Sequence, residues 1–97
     1  MAVINSYEAV IVFSLKRGED AVAETVKKFT DLIEKHTTME SVDEWGKRRL
    51  AYLINKETDA YYVLYTFKSE AAFPAELDRI TKITDGVLRS MIIKKEA

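Results

Sequence analysis

The fold is decided by residues 60–68, which read Ala-Tyr-Tyr-Val-Leu-Tyr-Thr-Phe-Lys. This stretch is rich in aromatic and β-branched residues and contains neither Gly nor Pro, which is typical of a β-strand. A second strand signal, residues 47–54, precedes it, and the polar residues 55–59 lie between the two. Two strands around a five-residue polar loop predict a β-hairpin.

A strand and a helix are predicted on the N-terminal side of this hairpin. Residues 7–15 alternate in a pattern that favours a strand, which Gly18 ends. Glu19 and Asp20 then open a helix whose apolar residues recur at helical spacing, at Val22, Val26, Phe29 and Ile33. This helix is predicted to end near residues 36–38. Residues 39–44 give a weaker strand signal that is interrupted at Gly46.

The same order is repeated on the C-terminal side. Ser69 is predicted to cap a second helix that has Pro74 in its first turn, where a missing N–H matters little. Asp85 and Gly86 end this helix, and residues 87–94 form the last strand. The resulting order, β-α-β-β-α-β, predicts an α+β fold of the ferredoxin-like split βαβ type. It has a four-stranded antiparallel sheet with both helices on one face, in a single domain that spans residues 1–97.

The second face of that sheet has no helix to cover it, and its outward positions should therefore be polar. If Ile11, Val63 and their alternating neighbours point toward the helices, the outward positions are apolar instead. An uncovered apolar face of this kind predicts an interaction surface, although scattered surface hydrophobics are the ordinary alternative. The expected partner-binding residues are Val10, Val12, Tyr62, Leu64 and Met91, with Ile93 beside them.

The charges are segregated along the chain although they nearly cancel overall. The 97 residues carry 15 basic and 16 acidic side chains, a formal net charge of −1. Positive charge is concentrated at residues 47–49 and 79–95, which can share a surface. Arg48 and Arg49 should face opposite ways in their strand, and Arg89 lies inside a strand between apolar residues, which favours an anionic partner. Lys94, near the chain end, is a weaker candidate.

Residues that could carry chemistry are few. The chain has no Cys, a single His at position 36, and no glycine-rich phosphate loop. Neither a metal site nor a nucleophilic dyad can be assembled from these residues, so neither catalysis nor a cofactor is expected. Glu8 is expected to form an edge or partner contact, and Trp45 to pack where the strand bends. No segment has the features of a signal peptide or a membrane span, which favours a cytoplasmic protein.

Several of these segments together resemble one family, the sixth protein of the bacterial small ribosomal subunit. The resemblance rests on Tyr7-Glu8, on Gly46-Lys47-Arg48-Arg49-Leu50-Ala51-Tyr52-Leu53-Ile54, on Tyr61-Tyr62-Val63, and on Asp85-Gly86-Val87-Leu88-Arg89-Ser90-Met91. It covers essentially the whole chain. Thr81 departs from it, because a larger apolar residue is common there, and Ile80 is expected to take over the packing.

The resemblance implies a protein that binds the central domain of small-subunit ribosomal RNA. It also implies a heterodimer with the eighteenth small-subunit protein, which helps to form the subunit platform during assembly. Arg89 and Lys82 would then face RNA phosphate, with Arg48, Arg49 and Tyr7 as further candidates at the RNA or partner surface and Lys94 as a weaker RNA contact.

Two other functions remain open from the residues themselves. A ferredoxin-like regulatory or small-molecule-binding domain that dimerises through its open sheet would explain the apolar face, but not the arginines in the strands. An acylphosphatase-like enzyme has a similar topology. It would need an anion-cradling loop after the first strand, where residues 15–18 are only a distant imitation.

Overall fold

A computed structural model describes residues 4–54 and 57–95 of the chain. The elements are β1 (Ile4–Ser14), α1 (Glu19–His36), β2 (Thr38–Ile54), β3 (Glu57–Glu70), α2 (Ala72–Ile83) and β4 (Val87–Lys94). The four strands form one sheet in the order β2-β3-β1-β4, and every neighbouring pair is antiparallel. Because β3 lies between β1 and β2, these two strands run parallel without touching. The predicted ferredoxin-like fold is confirmed.

The core lies between the helices and one face of the sheet. The alternating residues Ile11, Phe13, Val63, Tyr65 and Phe67 are fully buried on this helix-covered face. The helices contribute the predicted stripe of α1 and one residue of α2, namely Val22, Val26, Phe29, Ile33 and Leu77. The intervening residues of β1 and β3 therefore point away from the helices, as the alternation of the sequence indicated.

Tyr65 carries the one hydroxyl among the large, fully buried side chains of the core. It donates to the carbonyl oxygen of Val26 at 3.2 Å and lies 3.1 Å from the hydroxyl of Thr30. Burial raises the pKa of Tyr65 to about 12, because the phenolate would lose its hydration there. These bonds fix α1 to β3 at the centre of the sheet.

β2 differs from its prediction, because it is one strand of 17 residues rather than two pieces separated at Gly46. Gly46 has a φ angle of 80°, and the pairing of β2 with β3 shifts between Glu44 and Gly46. The glycine therefore forms a β-bulge, which bends the strand without ending its pairing. The predicted hairpin is confirmed by the pairing of Ile54 with Glu57; residues 55 and 56 of its loop lie outside the described residues.

The start of α2 also differs from its prediction. Ser69 does not cap the helix, since it is still part of β3 and its hydroxyl donates to the carbonyl oxygen of Glu70 at 3.0 Å. The helix begins at Ala72, which keeps Pro74 in the first turn, and ends at Ile83, just before Asp85 and Gly86. Ile80 packs against the core as expected, and Thr81 is buried. The predicted β4 agrees with the structure at both ends.

Candidate nucleic-acid and partner interface

The sheet face away from the helices is apolar at its centre. Val12 of β1 lies between Tyr62 of β3 and Arg89 of β4, and one row further along Val10 lies between Leu64 and Met91. We call this surface the open face; its predicted residues are Val10, Val12, Tyr62, Leu64 and Met91. Val12 is buried among its neighbours, whereas Met91 is 56% exposed and Ile93, in the next row, is 52% exposed. Hydrophobic side chains as exposed as these favour contact with another macromolecule.

An aromatic pair extends the open face toward the edge strand β2. The rings of Trp45 and Tyr62 stack with centroids 6.2 Å apart and planes inclined by 15°. The indole Nε1 of Trp45 donates to Oδ2 of Asp43 at 3.1 Å, and Trp45 is 39% exposed. The sequence predicted only that Trp45 packs near a bend. The bulge at Gly46 places Trp45 beside Tyr62, and no signal in the sequence pointed to this pair.

Glu8 lies at the border of this surface, one row beyond Val10. It was predicted to form an edge or partner contact, but it does not lie at an edge, because β1 is an inner strand and Glu8 pairs with Thr66 on one side and Ile93 on the other. Its side chain is half-buried. An acidic residue can therefore occur inside this otherwise apolar strand, because its side chain lies on the open face and not in the core.

Two of the predicted RNA-binding residues meet in a groove at the β4 edge. Lys82 of α2 and Arg89 of β4 both line it, together with Thr81, Val87, Leu88 and Ser90, and its volume is about 320 Å³. We call it the basic groove. The Nζ atom of Lys82 lies 2.9 Å from Oδ2 of Asp78, one turn earlier on α2. The pair is exposed to solvent, so it contributes little to the stability of the fold. Lys82 can therefore leave Asp78 and bind another anion.

The remaining predicted cations lie elsewhere. Arg48 and Arg49 are on β2, opposite Ala60 and Asp59 of β3, at the far edge of the sheet from β4. Three strand spacings, roughly 14 Å, separate these edges. By their pairing, Arg48 and Arg89 both belong to the open face, but they lie at opposite edges of the sheet. Lys94 ends β4, exposed to solvent.

Tyr7 is not at a surface. It is 7% exposed, and its ring stacks on that of Phe67 with centroids 5.9 Å apart, on the helix-covered side of the sheet. The ring is therefore part of the core, which corrects its placement at the RNA or partner surface. The core position of Tyr7 follows from the alternation along β1, because Tyr7, Ile11 and Phe13 are alternate residues that point to the same face of the sheet.

Across residues 4–54 and 57–95, no three side chains of the metal-binding types come together in a group that could hold an ion. Within these residues, no helix is long and apolar enough to cross a membrane. His36 stacks on Phe73 in the last turn of α1, with centroids 5.7 Å apart, and so has a structural position.

Fold and surface together define a ferredoxin-like α+β domain whose distinctive groups are arranged for binding. Comparison with known proteins shows which family this domain belongs to. The sequence profile of ribosomal protein S6 matches residues 6–94. The small ribosomal subunit protein bS6 of Alkaliphilus oremlandii is 46% identical over 93 residues, covering 96% of this chain and 99% of that protein. The bS6 protein of Clostridium novyi is 42% identical over 94 residues, with the same coverage. The chain belongs to the ribosomal protein S6 family.

A solved structure gives the same answer for the fold. The crystal structure of 30S ribosomal protein S6 from Thermotoga maritima superposes with a TM-score of 0.88 at 20% identity, and the match covers 96% of this chain and 89% of that one. The family resemblance drawn from the sequence is confirmed. The chain is accordingly a protein of the small ribosomal subunit, located in the cytoplasm within the ribosome, in a family that is structural and not known to be enzymatic. The alternative of a regulatory or small-molecule-binding domain finds no support in these comparisons.

Proposed function

We propose that this protein binds the central domain of small-subunit ribosomal RNA together with the eighteenth small-subunit protein, and so supports assembly of the subunit platform. The observation that carries the proposal is that Arg89 belongs to two neighbouring surfaces. It lines the basic groove with Lys82, and it is also the neighbour of Val12 on the open face. A surface that is cationic on one side and apolar on the other fits an RNA and a protein bound side by side.

The groove supports recognition of the RNA backbone. Arg89 can donate two parallel hydrogen bonds to one phosphate, and Lys82 can release Asp78 to meet a second. The deep, narrow major groove of an RNA helix hides its base edges from side chains, so shape and phosphate contacts are the expected mode of binding. The mechanism is therefore neutralisation and positioning of RNA, without turnover of a substrate. Arg48, Arg49 and Lys94 are further candidate contacts at the ends of the sheet.

The open face supports the protein partner. Its row of Val10, Leu64 and Met91 presents apolar side chains where an uncovered sheet would ordinarily be polar. Burial of such side chains contributes about 25 cal/mol per Å², which favours a protein surface over RNA phosphates. The near-zero net charge of the chain agrees with this arrangement. Long-range attraction to RNA is weak, and the partner supplies the remaining affinity.

The test is a titration with an RNA fragment from the central domain of small-subunit ribosomal RNA, at several salt concentrations, with the eighteenth protein present. We expect Arg89→Ala to weaken binding and to reduce the slope of log K against log salt by about 1, because one phosphate contact is lost. The matched control is Lys28→Ala, which removes the same charge from an exposed position on α1.

Two results would contradict the proposal in different ways. An unchanged affinity and salt slope for Arg89→Ala would remove Arg89 from the RNA surface. Strong binding of the RNA by this chain alone, with no gain when the eighteenth protein is added, would overturn the heterodimer mechanism. A pull-down of the RNA with and without the eighteenth protein separates these cases.

A further inference from the structure

We infer that the open face receives an arginine side chain of its protein partner, stacked on Trp45 and paired with the carboxylate of Asp43. The inference rests on the proposed function, since it specifies what the partner must present to this face. We call the group formed by Asp43, Trp45 and Tyr62 the aromatic-acid site.

The geometry of the site is that of a prepared cation receptor. Tyr62 supports the indole ring from one side, at a centroid distance of 6.2 Å, and the Trp45 residue remains 39% exposed. The hydrogen bond from Nε1 to Asp43, 3.1 Å long, holds a carboxylate at the edge of the ring. A cation above an indole ring is attracted by the electrons of its face, and here it would also lie beside a negative charge.

The charges of the open face indicate a cationic occupant. Asp43 pairs in register with Leu64 and Glu8 with Thr66, so both carboxylates border the apolar centre. Within residues 4–54 and 57–95, neither carboxylate forms an ion pair with a basic side chain. A partner that covers this face removes water from both, and a buried carboxylate is strongly unfavourable without a cation. The cations of the same face lie away from Asp43, since Arg48 is opposite Ala60 and Arg89 is opposite Val12. A partner group that covers Asp43 is therefore favoured when it is itself positively charged.

Arginine fits this site better than lysine does. The guanidinium group is planar, stacks flat on an aromatic ring, and can at the same time donate two bonds to a carboxylate. Arg48 lies on the other side of Tyr62, opposite Ala60, so the incoming group would approach from the side of Asp43. The ammonium group of lysine is a compact, strongly hydrated charge that gains less from a flat ring.

An RNA base is the competing occupant, because every base can stack on an indole ring. Two observations favour the arginine. Asp43 would repel the phosphate that accompanies a base, and the aromatic-acid site is on β2, at the opposite edge of the sheet from the basic groove. The RNA and the arginine would then occupy separate edges of the same sheet.

The first experiment uses Trp45, the only tryptophan in the chain, as a reporter. Adding the eighteenth small-subunit protein should change the fluorescence of Trp45, whereas adding the RNA fragment alone should not. Asp43→Asn keeps an oxygen that accepts from Nε1 but removes the charge, and it should weaken binding of the partner about 3- to 30-fold. Trp45→Leu should weaken binding to a similar extent, which is measured by calorimetry because this variant has lost the fluorescent reporter. Asp31→Asn, an exposed acid on α1, is the matched control and should leave the affinity unchanged.

The second experiment identifies the incoming group. The partner's arginines are modified with phenylglyoxal, free and in the complex, and the products are mapped by mass spectrometry. In the complex with the wild-type chain, one arginine of the partner should be protected from phenylglyoxal. In the complex with the Asp43→Asn variant, the same arginine should react again. Protection of no arginine in a complex that still forms would overturn the inference and leave the proposed function intact. Failure of the partner to bind at all would reject both, and quenching of Trp45 by the RNA alone would identify a base-stacking site instead.

Discussion

The hydroxyl oxygens of Thr81 and Ser90 lie 2.8 Å apart, which links α2 to β4 beneath the basic groove. Thr81 is 2% exposed and donates its proton to the carbonyl oxygen of Asp78 at 2.7 Å. Its hydroxyl can then accept the proton of Ser90, which also lies 3.4 Å from Oδ1 of Asp78. A polar bond thus replaces the apolar contact that is expected at position 81, and it fixes the strand that carries Arg89 against the helix that carries Lys82.

Breaking this bond should destabilise the fold by a measurable amount. We expect Thr81→Val to lower the free energy of unfolding by about 0.5–1.5 kcal/mol, because the half-buried hydroxyl of Ser90 loses its 2.8 Å bond to Thr81 and keeps only the longer one, 3.4 Å, to Oδ1 of Asp78. The double variant Thr81→Val with Ser90→Ala should be less destabilised than the sum of the two single variants, since neither partner is then left without a bond. Urea denaturation of the four proteins provides the cycle. Strictly additive effects would show that the two hydroxyls do not interact.

Tyr65 should make stability depend on alkaline pH. Its pKa is raised to about 12 in the folded protein, against an ordinary value of 10.0. Because the folded pKa is the higher one, the stabilisation is complete below pH 10 and is lost as the pH rises toward 12. A shift of this size corresponds to roughly 2–3 kcal/mol. The check is the free energy of unfolding between pH 8 and pH 12, compared with Tyr65→Phe, which should lose less stability over that range; equal losses would contradict the prediction.

The bulge at Gly46 should not tolerate a side chain. Its φ angle of 80° lies in the left-handed region, yet no heavy atom lies within 4 Å of an added Cβ, so the penalty is conformational and not steric crowding by neighbours. Gly46→Ala should reduce the free energy of unfolding by about 1–2 kcal/mol. Gly46→Asn should reduce it less, because asparagine adopts this conformation more readily. Thermal unfolding measures both effects, and an alanine variant as stable as the parent protein would contradict the assignment.

The open face should be needed for the partner and dispensable for folding. Met91→Glu places a charge at a position that is 56% exposed, so the free energy of unfolding should change by no more than about 0.5 kcal/mol. Binding of the eighteenth protein should fall by tenfold or more, since the charge would be buried in an apolar contact. Ile83→Glu is the matched control, because Ile83 is an exposed apolar residue at the end of α2, away from this face. Equal loss of binding in both variants would argue against the open face as the contact.

The elements themselves could be predicted because their signals are local. The spacing of Val22, Val26, Phe29 and Ile33 belongs to one helix face, and the bounds of β4 follow from Gly86 and the apolar run after it. Gly46 is the opposite case. A glycine in a weak strand indicates a break, but whether the chain continues to pair depends on β3, which is distant in sequence.

The site could be predicted only in part, because β1 has apolar residues at both its odd-numbered and its even-numbered positions, which point to opposite faces of the sheet. Val10 and Val12 could be placed on the open face only by assuming that Ile11 faces the helices, and Tyr7 was assigned to the surface from the family motif against its own parity. The stacking of Trp45 on Tyr62 could not be foreseen, since it depends on the shift of register at the bulge.

The positions of the charges along β2 and β4 bear on the protein before it meets any partner. These strands are the edges of the sheet, and the free N–H and C=O groups of an edge strand invite pairing with another chain. β2 carries the exposed charges of Asp43, Lys47, Arg48 and Arg49, and β4 those of Arg89 and Lys94. A second copy laid against β4 would bring like charges together, because Arg89 and Lys94 are both cationic. Arg89 and Lys94, which are proposed to contact RNA, thus also oppose strand-to-strand aggregation at the β4 edge of the sheet.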